Sequence, residues 1–165
     1  MATRKVFDRP DGAGSKLFFS MAVFILTSGA LVYAALSVDR IPVLQFVTAA
    51  GLLLFSLLLF IATCTAIKKK RLTPIYSTNL PQHLVTHGPY KYVRHPFYTA
   101  YLLNYAGIVL VAPSMLSLLA LVGVYAIYLH AALQEERKFG HSGLASAYAC
   151  YMSSTGRFLP MFVRK

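Results

Sequence analysis

The 165 residues are 57% hydrophobic and 13% charged, too apolar for a small soluble domain and grouped in long unbroken runs. The formal charge of +11 does not mark a nucleic-acid binder, because the basic residues flank apolar runs instead of forming one patch. An integral membrane protein is expected, with membrane lipids and no nucleic acid as its partners.

Residues 1–16 read as a basic tail. Residues 17–37 and 43–67 carry no charge, and at about 1.5 Å per residue each exceeds the roughly 30 Å hydrocarbon layer of a bilayer. They are predicted as spans one and two, a two-helix transmembrane hairpin over 17–67 that turns at Asp39 and Arg40. The first run is long and a second follows at once, which favours a retained anchor over a cleaved leader. The Lys68-Lys69-Lys70-Arg71 run that opens the 68–96 loop suits anchoring at anionic headgroups.

Residues 97–112 are again uncharged but reach only about 24 Å as a helix, while 114–133 reach about 30 Å, and Pro113 breaks the chain between them. Together 97–133 predict a tight hairpin of spans three and four. The predicted fold is therefore all-α, a bundle of four transmembrane helices. Fifteen of the sixteen Lys and Arg residues fall in 1–16, 68–96 and 137–165, with Arg40 alone on the other side. Both termini and the 68–96 loop are accordingly expected to be cytoplasmic.

Beyond span four, Leu144, Tyr148, Tyr151 and Met152 recur at helical spacing, predicting an amphipathic interfacial helix on the membrane surface. Gly156 would cap it and Pro160 would stop the chain from continuing it. Arg157 between them reads equally as a headgroup anchor and as a group that helps close a site. Cys64 and Cys150 fall in different environments, so two unpaired thiols are expected. The five histidines have no CxxC companion, and no metal site is expected.

Two stretches hold most of the chemistry. Before span three, GPYKYVRHPFYTAY at 88–101 combines Arg94 and His95 with tyrosines and with Pro96, well placed as a first helical residue whose following N–H groups could meet an anion. After span four stands the pair Glu135-Glu136, at a helix end where carbonyls disfavour anions and a compensating cation is implied. Arg137 and Lys138 next door are the simplest source of it. At about 100° per residue, Tyr125, Tyr128, Ala132, Glu135 and Glu136 share one face of span four. Tyr98, Tyr101 and Tyr105 share one face of span three. The two faces can meet in the hairpin, bringing charges of both signs to one depth, and such near-membrane ionisable groups are functional candidates. A small ligand carrying both an anion and a cation would fit there.

GPYKYVRHPFYTAY, an apolar hairpin, then EERKFG, YACY and TGRFLP resemble the membrane methyltransferase family that includes isoprenylcysteine carboxyl methyltransferases and phospholipid N-methyltransferases. The resemblance covers roughly residues 83–162, within a methyltransferase-like region 68–165. It implies an S-adenosylmethionine site with Gly88, Tyr90, Tyr92, Arg94, His95, Pro96 and Tyr98 lining the cofactor and Glu135 and Glu136 on the facing wall. The acceptor would be a lipid or lipid-soluble amine, thiol or carboxylate. The first two must lose a proton, for which Glu136 and His130 are the candidate catalytic residues. Two positions depart from the family pattern. Ala100 stands where a glycine is usual, and the nearest basic residue before the Glu pair is His130, on another face, which counts against a prenylcysteine carboxylate as acceptor. Similar motifs also occur in nicotinamide-dependent sterol reductases, so a reductase relative and a non-catalytic membrane subunit are the alternative readings. The oligomeric state stays open.

Overall fold

The computed structural model describes residues 13–38, 40–67, 81 and 83–161, with side chains from Phe18 onward. The residues 1–12 of the basic tail, Asp39 and the Lys68–Arg71 run lie outside the described residues. The elements in chain order are α1 (Ala13–Ser37), α2 (Val43–Ile67), a 3-10 turn (Gly88–Lys91), α3 (Pro96–Val111), α4 (Met115–Gly140) and α5 (Ala145–Ser154). No strand occurs among the described residues, so the all-α expectation holds. Three helical stretches, Phe18–Ser37, Val43–Ile67 and Met115–Gly140, are long and apolar enough to cross a membrane, and Pro96–Val111 is a shorter apolar helix.

Local chemistry sets the ends of α3 and α4. Pro96 opens α3 at a position where its missing N–H costs nothing, and Pro113 prevents the helix from running on into α4. Ser114 then caps α4: its hydroxyl accepts from the Ser117 N–H at 3.0 Å, and Ser117 Oγ accepts the Ser114 N–H at 3.0 Å. Span two lies where expected. Helix α4, however, does not stop at residue 133 but continues through Gly140, because Glu, Arg and Lys are good helix formers that end an apolar run without ending a helix. The Glu135-Glu136 pair is therefore on the helix, within its last two turns, instead of just past it.

The short helix α3 is the hub. It packs against α1, α2 and α4, whereas α1 and α2 touch each other far less than either touches α3. The expected α1–α2 hairpin is thus a pair of neighbours straddling α3, meeting where Phe24 stacks on Phe60 with ring centroids 4.3 Å apart. Asn104 fixes this arrangement at mid-length of α3. Fully buried, it accepts from Ser56 Oγ on α2 at 2.7 Å and donates to Thr27 Oγ1 and Ser28 Oγ on α1 at 3.1 and 3.0 Å. Between apolar helices such bonds add to van der Waals packing, at about 0.6 kcal/mol each. The outer face of α4 carries the exposed side chains Met115, Leu116, Leu119, Val122 and Ile127, a surface suited to lipid.

Helix α5 differs from expectation in what its apolar face covers. Tyr148 and Tyr151 are buried, Tyr148 stacking on Phe139 of α4 at 4.4 Å and the Tyr151 hydroxyl donating to the Tyr90 carbonyl at 2.6 Å. An amphipathic pattern demands only an apolar partner, and here the protein itself supplies it.

Candidate active site

The site is built where α3 begins, α4 ends and the chain after α5 returns. Residues 155–159 form a strap beside the segment that leads into α3. Val93 and Gly156 pair as a parallel bridge, with the Arg94 N–H donating to the Gly156 carbonyl at 2.8 Å and the His95 N–H to the Arg157 carbonyl at 3.1 Å. The Thr99 hydroxyl adds a bond to the Phe158 carbonyl at 3.0 Å. Irregular backbone ahead of a buried apolar helix leaves N–H and carbonyl groups that need such partners. Gly156 is required here for space: a Cβ on it would lie 1.7 Å from the Leu159 carbonyl oxygen. It is no left-handed cap, since Gly88 alone among the described residues has positive φ, at 61°. That conformation lets Gly88 start the 3-10 turn beside the end of α2.

On this scaffold three cations meet two carboxylates. Glu136 Oε1 accepts from Arg94 Nε at 3.1 Å, His95 Nε2 at 3.2 Å and Arg157 Nε at 3.0 Å, while its Oε2 accepts from Arg157 Nη2 at 2.8 Å. Arg157 therefore grips Glu136 with two parallel bonds, the geometry that makes guanidinium–carboxylate pairs strong. His95 Nδ1 lies 3.1 Å from Glu135 Oε2. Arg94 also reaches back, Nη1 donating to the Met152 carbonyl at 3.2 Å and to the Thr155 carbonyl, so it ties the end of α5 to the cluster. The compensating charges for the Glu pair come from across the fold.

His95 carries two protons in this arrangement, because each ring nitrogen faces a carboxylate oxygen and each bond needs an N–H. Burial disfavours the charged ring, yet the bonds to Glu135 and Glu136 outweigh it and hold its pKa above the ordinary histidine value. The imidazolium stacks on Tyr98 at 5.5 Å, and Tyr98 in turn stacks on Tyr128 of α4 at 5.0 Å with rings 7° from parallel. The aromatic faces of the hairpin thus meet as expected. Tyr125 contacts Phe158 of the strap at 5.8 Å instead of α3. Burial first, and the Glu135 charge next, push the Tyr90 hydroxyl far above its usual range, keeping it a donor. For Tyr151, burial pushes the hydroxyl up to about 12.

Of the residues expected at the site, Arg94, His95, Glu135 and Glu136 come together, with Pro96 and Tyr98 buried directly beside them. Tyr90 contributes its carbonyl to Tyr151 and lies within electrostatic reach of Glu135. Gly88 shapes the turn. Tyr92 holds the strap through its carbonyl, which accepts the Gly156 N–H at 3.4 Å, while its ring is exposed near Lys91 Nζ. His130 is not brought in. It is exposed on α4, 3.5 Å from the Gln134 side chain. Arg157, ambiguous in the sequence, is a full member of the cluster. Cys64 and Cys150 are not disulfide-bonded.

Apolar helices long enough to span a bilayer, with a charged and aromatic cluster at the common end of α3 and α4, describe an integral membrane protein with a candidate ligand site at one end of its bundle. The chain belongs to the phospholipid methyltransferase family, whose profile matches residues 44–145 and whose members use S-adenosylmethionine as methyl donor. That assignment sets aside the reductase and the non-catalytic subunit. The match begins inside α2 and ends at the first residue of α5, leaving α1 and the strap outside it. No curated protein and no solved structure matches the chain.

Proposed function

We propose that the protein methylates the headgroup amine of a membrane phospholipid, with S-adenosylmethionine held at the Arg94–His95–Glu135–Glu136 cluster. The observation that carries this reading is the convergence of Arg94, His95 and Arg157 on Glu136 within 3.2 Å, beside stacked tyrosines and at the foot of apolar helices. The residues fit the cofactor's chemistry. The N–H groups at the start of α3 suit its carboxylate, with the positive charge of Arg94 close by in sequence although its own bonds are taken up by Glu136 and the end of α5. Glu135 suits its ammonium and ribose hydroxyls. The half-exposed ring of Tyr125 suits a sulfonium cation, while Tyr98, closed between His95 and Tyr128, backs the site from within. Gly88, Tyr90, Tyr92 and Pro96 shape the wall. When bound, the cofactor supplies an electrophilic methyl group.

The chain's own residues supply orientation and dryness. Alignment and exclusion of water account for much of the rate of a displacement that neutralises charge. An ammonium acceptor must first lose a proton. Glu136 is occupied by four hydrogen bonds and its side chain is 9% exposed, whereas that of Glu135 is 24% exposed, which favours Glu135 as the proton acceptor. Glu136 is then the post on which the cations are organised, and His130 has no part. An amine is preferred over a carboxylate because aromatic faces bind alkylammonium groups and because His130, the nearest basic residue before the Glu pair, stays outside the cluster.

In this reading all four helices α1 to α4 cross the bilayer, and α3, about 24 Å long, crosses with the strap covering its sunken start. In the same reading the cluster, both termini and the 68–96 loop share the cytoplasmic side, a placement that the distribution of Lys and Arg supports. The test is to incubate membranes that contain or lack the protein with methyl-labelled S-adenosylmethionine. Label is expected in the aminophospholipid fraction only where the protein is present. Label confined to a carboxyl ester or thioether would refute the amine assignment.

A further inference from the structure

Resting on the reading of a phospholipid acceptor, we infer that Arg157 is the residue that takes the phosphate of the acceptor and so sets its selectivity for phospholipids. The cluster counts three cations, Arg94, the His95 imidazolium and Arg157, against the two carboxylates Glu135 and Glu136. One positive charge is in excess, in a cluster whose Arg94, His95 and Glu136 side chains are at most 11% exposed, where a net charge calls for a counterion.

Which cation meets that anion follows from what each is doing already. The Arg94 side chain is 11% exposed and divides its bonds between Glu136 and the two carbonyls at the end of α5. The His95 side chain is 7% exposed and spends both N–H groups on carboxylates. The Arg157 side chain is 31% exposed. It uses two N–H groups on Glu136 out of the five a guanidinium carries. It is the one of the three with an open, forked edge suited to a phosphate.

Its surroundings suit a lipid. The strap continues from Arg157 into Phe158, which is buried against His95 and Tyr98, and then into Leu159 and Met161, both exposed. Half-exposed Tyr125 borders Phe158 from α4. A charged fork therefore sits between a packed interior and an apolar rim, so a phosphate on Arg157 would leave acyl chains along Leu159 and the outer face of α4. The headgroup amine would point inward to the tyrosines. The anion could instead be the carboxylate of the cofactor, and the experiment separates the two sources.

The experiment compares wild type, Arg157→Ala and Arg157→Lys in detergent. One readout is the rise in melting temperature given by S-adenosylhomocysteine and, separately, by dihexanoyl phosphatidylethanolamine. The other is the ratio of kcat/KM for that lipid to kcat/KM for an N-alkyl ethanolamine of matched chain length that lacks phosphate. In Arg157→Ala the ratio is expected to fall about ten- to hundredfold, the size of a lost charge-assisted bond. Stabilisation by the lipid should be lost while stabilisation by S-adenosylhomocysteine persists. Arg157→Lys should fall between, and it carries the test if the alanine variant does not fold. An unchanged ratio overturns the assignment, as does loss of S-adenosylhomocysteine stabilisation in step with that of the lipid, which would give Arg157 to the cofactor. Wild-type turnover of neither amine overturns the acceptor reading and this inference with it.

Discussion

Substituting Glu136 by Gln tests the cluster at its centre. The variant keeps the shape of the side chain but removes the charge on which Arg94, His95 and Arg157 converge, and its amide nitrogen must face at least one guanidinium donor. Breaking a buried ion pair from one side costs about 3–5 kcal/mol. Arg157 can turn partly to water, which places the loss near the lower figure, about 3 kcal/mol. For a chain of this size, about 2–4 °C per kcal/mol makes that a fall of roughly 6–12 °C in melting temperature. The measurement is a thermal melt of the solubilised protein at low and high salt, paired with methyl transfer to phosphatidylethanolamine. Because the pairs are buried, salt should change the fall little. Transfer should drop to near background, since the strap and the start of α3 lose their common anchor. A melting change below about 2 °C with normal transfer would show that the cations do not depend on Glu136, and the site as described would be wrong.

Three further outcomes are expected. The folded pKa of His95 is raised by its two carboxylates, so its contribution to stability is full below the unfolded value near 6.5 and is lost as pH rises through the folded value. The melting temperature of wild type should fall over that window, and His95→Gln should remove the dependence. Gly156→Ala forces a Cβ onto the Leu159 carbonyl and should cost about 1–3 kcal/mol by overpacking, read as a lower melting point and faster proteolysis after residue 154. Asn104→Leu removes three interhelical bonds at about 0.6 kcal/mol each in a membrane protein. It should lower the melting point while leaving the KM for S-adenosylmethionine unchanged.

Hydropathy alone was enough to place α2 and to foresee the α3–α4 hairpin, because a charge-free run of that length has few other fates. It could not place the end of α4, where the first charges mark the edge of the apolar run and the helix simply continues. Nor does it register Asn104, a single amide inside an apolar stretch whose partners lie 48, 76 and 77 residues away. Arg94, His95, Glu135 and Glu136 were legible as residues of opposite sign at matching ends of two helices. Arg157 was legible only as a cation beside a glycine and a proline, because its membership depends on a backbone pairing between 93 and 156. The periodicity of α5 fixed which side chains turn inward, but not whether lipid or protein lies beneath them.

The grip of Arg94 on the carbonyls of Met152 and Thr155 has a bearing on biogenesis. The ribosome delivers α1 to α4 before it delivers the strap, so those helices can pack while Arg94 and Glu136 still lack Arg157. The site would thus stay incomplete until the strap has left the exit tunnel and docked, and a chain released early at α5 would hold its helices together without the anchor that Arg157 gives Glu136.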